Sequence, residues 1–363
     1  MTEIDFNKSF YTDNFSREEF INRLEGISSI ENKTISAIPF GCNKTPVEYL
    51  PNFISGNRFV EITKNYEGLQ LYKLTHNIKH KEERIEEGFF FIYEHPQYNN
   101  VYIAFTIEDS QFFHYELRPY LENLYPDVVL TFIKSNKLKN LIKNFKYKNS
   151  LTEIKITRAT QKLRFKEEKS MTAITWPKAT LEEAFNWLYN NNGWFKSLQF
   201  EAIRNEKVLA NIYINRKGIV RTYRYFNKVF EDFIQPVCKL IDNNMKLFSN
   251  RSRRENPNLA VKPLVIQYDS DVFKDIEENE IFIKSVKQIK SASVSVLHGN
   301  PYIHLSFLDY YDGSIFDIWV LNSNQIAIVP QMKGSTAAIK RLINHIFDTY
   351  AEGKIIDYES AKI

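Results

Sequence analysis

"WFKSLQFEAIRNEKVLANIYINRKGIVRTYRYF", Trp194 to Phe226, decides how the chain is read. Its runs "WFKSLQFEAI", "KVLANIYI" and "GIVRTYRYF" are rich in β-branched and aromatic residues. They are parted by "RNE" and "NRKG", short turns of the kind hairpins use. Three strands pairing in order, antiparallel, are predicted. Upstream, Thr180 with Glu183 forms a capping box, Leu181, Ala184, Phe185 and Leu188 share a helical face, and Gly193 supplies the stop. From Asn227 onward the apolar spacing turns helical: Phe230, Phe233, Ile234, Val237, Ile241, Met245 and Phe248 share one stripe, with a kink predicted at Pro236. Residues 170–262 therefore read as an α-β-β-β-α unit.

Residues 263–363 repeat that order with one more strand. Asp271 to Lys290 has helical apolar spacing, and "SASVSVLHG", "YIHLSFLDY", "IFDIWVL" and "QIAIVP" follow as strands. A closing helix carries Ile339, Leu342, Ile343, Ile346, Phe347 and Tyr350, with Gly353 after it. Residues 86–169 form a mixed α/β unit: "GFFFIYE" and "VYIAFTI" as a hairpin, "SQFFHYELRPYLENL" as a helix, "VVLTFI" as a buried strand, "NKLKNLIKNF" as a helix and "LTEIKIT" as a strand. In residues 1–85 a helix near "SREEFINRL" and a loop carrying Pro46 and Pro51 are legible. The fold class is multi-domain α+β, with two consecutive units of helix-flanked antiparallel sheet after a mixed α/β half. Helices on one face of such a sheet leave its other face for solvent or a partner.

Composition excludes several classes. With 43% hydrophobic and 25% charged residues the chain is no disordered polymer. Aromatics reach 15%, but Lys, Asn, Ile, Phe and Tyr rise together, so their abundance is not taken as a stacking signal. No run approaches the ~20 apolar residues of a membrane span, and the start "MTEIDFNKSF" lacks the basic and apolar regions of a secretion signal. A cytoplasmic location without membrane association is expected. Cys42 and Cys238, far apart in the chain, make a disulfide or a cysteine zinc site improbable. There is no Walker loop, G-x-S-x-G elbow, H-E-x-x-H or Cys/His zinc spacing.

The net charge of +4 is unremarkable, but its distribution is segregated. Cations crowd the stretch from Lys134 to Lys169, including Lys139, Lys143, Lys146 and Lys148, and recur in "RKGIVRTYRYFNK" and in "SNRSRREN" with Arg251, Arg253 and Arg254. Such clustering is the footprint of a phosphate-binding surface. Strand alternation puts Arg221, Tyr223 and Tyr225 on one face and Val220, Thr222, Arg224 and Phe226 on the other. An open Arg221 face would let a cation hold phosphates while tyrosines stack bases. The expected function is a nucleic-acid-binding component, for DNA or RNA, of a larger assembly with a protein partner. A prokaryotic defence or mobile-element system is the expected context, and no cofactor is needed.

Two alternatives stay open. Asp127 in "PDVVLTFI", with Glu153 and Lys155 in "LTEIKI", resembles in part the PD-(D/E)xK pattern of restriction-endonuclease-type nucleases. That resemblance implies Mg²⁺ held by two carboxylates, with the lysine activating water and Glu116 or Glu122 as a third carboxylate. It departs from the pattern where "SNKLKNLIKNF" inserts a helix. His298, His304, Asp309, Asp312 and Asp317 are a second candidate cluster, for a metal. The other alternative is a protein-interaction scaffold using the sheet faces of "GWFKSLQF" or "IFDIWVL", without nucleic acid.

Overall fold

The computed structural model describes residues 10, 16–79, 83–163, 171–174, 179–191, 193–249, 251, 258, 262–299, 302–331 and 333–360. The chain divides into two compact units, Met1–Asp242 and Asn243–Ile363, the division falling within the helix Gln235–Ser249.

The larger unit is built on a 12-stranded sheet. Its strands are β1 (Thr34–Cys42), β2 (Arg58–Tyr66), β3 (Leu69–Lys79), β4 (Glu83–Glu94), β5 (Val101–Thr106), β6 (Val128–Leu130), β7 (Glu153–Leu163), β8 (Met171–Ile174), β9 (Ala179–Thr180), β10 (Gly193–Arg204), β11 (Lys207–Asn215) and β12 (Val220–Tyr223). The order is β2-β3-β4-β5-β1-β12-β11-β10-β7-β8, with β6 on β1 and β9 on β7, and every pairing is antiparallel.

With this sheet go helices α1 (Arg17–Ser29), α2 (the π-helical Phe112–Leu117 running into Arg118–Asn123), α3 (Ser135–Lys148), α4 (Leu181–Asn190) and the first part of α5 (Phe226–Val229, Phe230–Ile234 and Gln235–Ser249 in succession), which continues past Asp242 into the smaller unit. Capping boxes open α1 at Ser16 with Glu19 and α4 at Thr180 with Glu183. Each π-helical stretch ends two residues before a proline, Leu117 before Pro119 and Ile234 before Pro236. A proline cannot donate the i→i−4 bond, and the wider π-turn absorbs the defect.

The sequence-derived boundaries at 85/86 and 169/170 need correction: the first falls inside β4, and the sheet crosses the second through the pairing of β7 with β8. The β10-β11-β12 meander forms as predicted, yet it is no separate domain, because β12 also pairs with β1 and β10 with β7. Hairpin turns are visible in sequence, whereas the neighbours on the outer edges are set by distant strands. The run "VVLTFI" supplies only the three residues of β6, after which Ile133 N–H bonds the Arg216 carbonyl at 2.7 Å.

The smaller unit holds a six-stranded antiparallel sheet ordered β14-β15-β16-β17-β13-β18, where β13 is Leu264–Gln267, β14 Ala292–His298, β15 His304–Asp309, β16 Ile315–Asn322, β17 Gln325–Pro330 and β18 Lys354–Asp357. Helices α6 (Ile276–Lys287) and α7 (Thr336–Thr349) belong to this unit. Strands β14, β15, β16 and β17 lie where periodicity puts them. β13 and β18, four residues each, are too short to show a period.

Candidate functional site

The two faces of the larger sheet are covered unequally. On one face, Phe20 of α1 packs on Phe91 and Phe105, Phe145 of α3 on Phe233 of α5, Phe233 on Phe200 of β10, and Phe185 of α4 on Phe195. On the other, α2 seals a core with Ile38, Phe40, Tyr72, Phe90, Ile92 and Ala104, all from β1, β3, β4 and β5. Among the described residues no helix covers that second face over β12, β11, β10 and β7. Polar side chains line a cleft of ≈ 470 Å³ there: Thr34, His114, Arg158, Thr160, Ser197, Gln199, Asn211, Tyr213, Arg221 and Tyr223.

Register explains how they meet. Ser36 faces Arg221, Arg221 faces Tyr213, Tyr213 faces Gln199, and Gln199 faces Arg158, so one row crosses five strands. Side chains in such a row stand ~5 Å from their neighbours, which puts the two arginines, three steps apart on either side of Tyr213 and Gln199, at roughly 14 Å. The next row, Thr34–Tyr223–Asn211–Glu201–Lys155, carries one carboxylate, Glu201, opposite Lys155 and outside the cleft lining.

Arg221 is the centre of the cleft chemistry. Its Nε donates to Ser36 Oγ at 3.1 Å, and its Nη1 donates to Ser110 Oγ at 3.3 Å and to His114 Nε2 at 3.1 Å. Its guanidinium lies 5.2 Å from the ring centre of buried Phe113. Because arginine only donates, His114 Nε2 must be the acceptor, and the imidazole is neutral with its proton on Nδ1. Burial, then the Arg221 and Arg118 guanidiniums, hold the His114 pKa below its ordinary value, in agreement. Burial also lowers the pKa of Arg221, which stays charged at neutral pH. All three side-chain hydrogen-bond partners of this half-buried cation are neutral, and among the described residues no carboxylate lines the cleft.

The cations expected to form a surface are scattered. Lys139 and Lys143 both pair with Glu182, at 3.0 and 2.8 Å, and Lys148 pairs with Asp232 at 2.8 Å; Lys146 lies with them on α3, across the sheet from the cleft. Arg251 belongs to the smaller unit, where its side chain is 4% exposed and pairs with Asp357. Arg253 and Arg254 lie outside the described residues.

In the opening stretch, Arg221 and Tyr223 do reach the open face, with Val220 and Thr222 buried on the other. The alternation stops there. Arg224 and Tyr225 both adopt left-handed backbone, φ 67° and 59°, turning the chain into α5. Arg224 then donates to Asn32 at 3.0 Å and lies over the Tyr223 ring, while the Tyr225 hydroxyl bonds Asn149 at 3.3 Å and its ring meets Phe145. The strand ends at Tyr223, so Arg224 does not share the packed face with Val220 and Thr222 as alternation predicts.

The nuclease residues are not brought together. Asp127 pairs with Lys44 at 3.0 Å beside β6, level with Cys42 at the end of β1. Glu153 pairs with Lys155 at 3.3 Å, at the opposite end of the ladder and four strands across. Strand geometry separates them by on the order of 30 Å or more. Glu116 serves Arg58 and His76, at 2.9 and 2.7 Å, and Glu122 serves Arg118 and Lys217.

In the smaller unit His298 and His304 are cross-strand partners, but His298 Nδ1 donates to the Tyr302 carbonyl at 3.0 Å and His304 stacks on Trp319. Asp309 is buried against Arg341, and Asp312 accepts from Ser314 N. No group of three or more His, Cys, Asp or Glu among the described residues could hold a metal ion. Both cysteines are buried, and burial pushes the Cys42 thiol up to about 11.

Ser36, His114, Gln199, Asn211 and Tyr213 were missed as site residues, and Arg158 was counted only as part of a charge cluster. The polar alternation of "SLQ" and "NIY" was a usable signal. The location of Ser36 and His114 was not, since both depend on β1 and α2 meeting β12. No protein-family model matches the chain, and no curated protein matches it. Among the described residues no helix is long and apolar enough to cross a membrane.

Proposed function

We propose that the protein binds nucleic acid on the open face of its larger sheet, with backbone phosphates at Arg221 and Arg158. The observation that carries this reading is Arg221: a half-buried guanidinium held in place by Ser36, Ser110 and His114, in a cleft that no carboxylate among the described residues lines. A desolvated cation is costly without an anion, and a phosphate would supply one. The lone pair of His114 Nε2 is occupied by Arg221, so in this reading His114 positions the guanidinium and does not act as a base toward a substrate. Membership of a larger nucleoprotein assembly belongs to the same proposal.

Anisotropy titration of labelled DNA and RNA at low salt tests it. Arg221→Ala is expected to weaken binding about 10- to 100-fold, the loss of a charge-assisted pair worth ~1.5–3 kcal/mol. Binding unchanged by Arg221→Ala would contradict the reading.

Protein docking is a second reading, favoured in the smaller unit by Leu297, Tyr302 and Trp319, which are 58%, 70% and 41% exposed around β14–β16. A partner that stays bound through nuclease treatment would support it.

A further inference from the structure

We infer that the cleft reads an unpaired base, so that the bound nucleic acid is single-stranded and selected by base as well as by charge. The inference rests on the nucleic-acid reading above and adds a specificity that phosphate contacts alone do not supply.

A cleft built for phosphates alone needs only donors. This one also holds two amides locked to each other, with Gln199 Nε2 donating to Asn211 Oδ1 at 3.0 Å. Each amide spends one group on the other. Whichever way the pair is oriented, a carbonyl oxygen and N–H groups remain on the cleft floor, side by side. An acceptor beside a donor matches the edge of a nucleobase, where recognition pairs the two in opposite order.

Aromatic rings flank the amides by register. Tyr223 stands directly across from Asn211, and Tyr213 directly across from Gln199. Tyr223 is held rigid, its hydroxyl 2.9 Å from Asn32 Oδ1 and its ring backed by Arg224 at 5.1 Å. Tyr213 packs against the core under α2. A flat ring entering between Arg221 and Arg158 therefore meets tyrosine rings for stacking and amides for its edge, with a guanidinium at each end for the flanking phosphates. A base in a duplex has its pairing edge occupied and its faces stacked, and can use neither group.

The test uses the full-length protein and equal-length labelled oligonucleotides: the four ribo- and four deoxyribo-homopolymers, an abasic strand of the same charge, and a duplex. The expected result is that the favoured homopolymer binds about ten-fold or more tightly than the abasic strand and more tightly than the duplex. Gln199→Met should level the homopolymer series while leaving the salt dependence unchanged, with circular dichroism reporting that the variant is folded. Equal affinity for all strands including the abasic one would overturn the inference and leave the nucleic-acid reading standing. Duplex bound as tightly as single strand would do the same. No binding to any of them would overturn both.

Discussion

A guanidinium kept half-buried without a carboxylate holds its charge against the cost of desolvation, and Arg221 is held that way by three neutral acceptors. The neighbouring histidine pays part of that cost, since a neutral His114 accepts where a protonated one would repel. His95 shows the same preference away from the cleft. Its Nδ1 accepts from Gln97 N and Tyr98 N at 3.1 and 3.2 Å, so its Nε2 donates to Gln235 Oε1 at 2.6 Å, and burial holds its pKa below the ordinary value. The folded state thus favours neutral His95, while the unfolded chain takes up the proton near pH ~6.5. Stability is then fully present above that pH and is lost as pH falls below it towards the folded value. Urea midpoints at pH 7.5 and 5.5 should show the loss, and His95→Gln should flatten it. An equal slope in the variant would contradict this role for His95.

Two turns aim the strands that floor the cleft. Between β10 and β11, Asn205 and Glu206 both take left-handed backbone, φ 49° and 64°, the geometry for which hairpins favour Asn-Gly. Glu206→Gly is expected to stabilise the protein by about 1 kcal/mol by relieving a side chain in that region, measured as a higher urea midpoint; a lower midpoint would contradict the turn assignment.

Between β11 and β12, Asn215 Oδ1 accepts from Lys217 N and Ile219 N, both at 3.0 Å, and Gly218 has φ +77°. A Cβ at Gly218 would come within 2.7 Å of Thr131 and 2.8 Å of Val237. Gly218→Ala should therefore cost roughly 1–3 kcal/mol and loosen the register that sets Arg221 opposite Tyr213. Stability equal to wild type would refute that account.

Elements were legible where the period was long. The amphipathic faces of α3, α4 and α7, the capping box of Thr180 with Glu183 and the hairpins β10–β11 and β16–β17 follow from spacing alone. Strand β1 is not legible from spacing because it buries nearly every residue, which hides the two-residue alternation.

At the scale of the whole molecule, charge along the chain did not foretell charge in space. The basic run on α3 looked like the binding surface, yet Glu182 and Asp232, distant in sequence, meet three of its lysines. The cleft instead takes one cation from each of two basic stretches, Arg158 and Arg221, which the strand pairings bring into one row. Such convergence depends on strand order, β1-β12-β11-β10-β7, and that order is non-local.

The measurement that tests this most directly is the salt dependence of binding to a single-stranded oligonucleotide for wild type, the Arg158→Ala/Arg221→Ala double variant and the Lys139→Ala/Lys143→Ala double variant. Each phosphate contact on a single strand contributes ~0.7 to the slope of log K against log salt. The arginine pair should lower the slope by about 1.4 and weaken binding throughout, while the lysine pair leaves both near wild type. The reverse pattern, with the lysines carrying the slope and the arginines none of it, would contradict a binding site on the open face of the sheet.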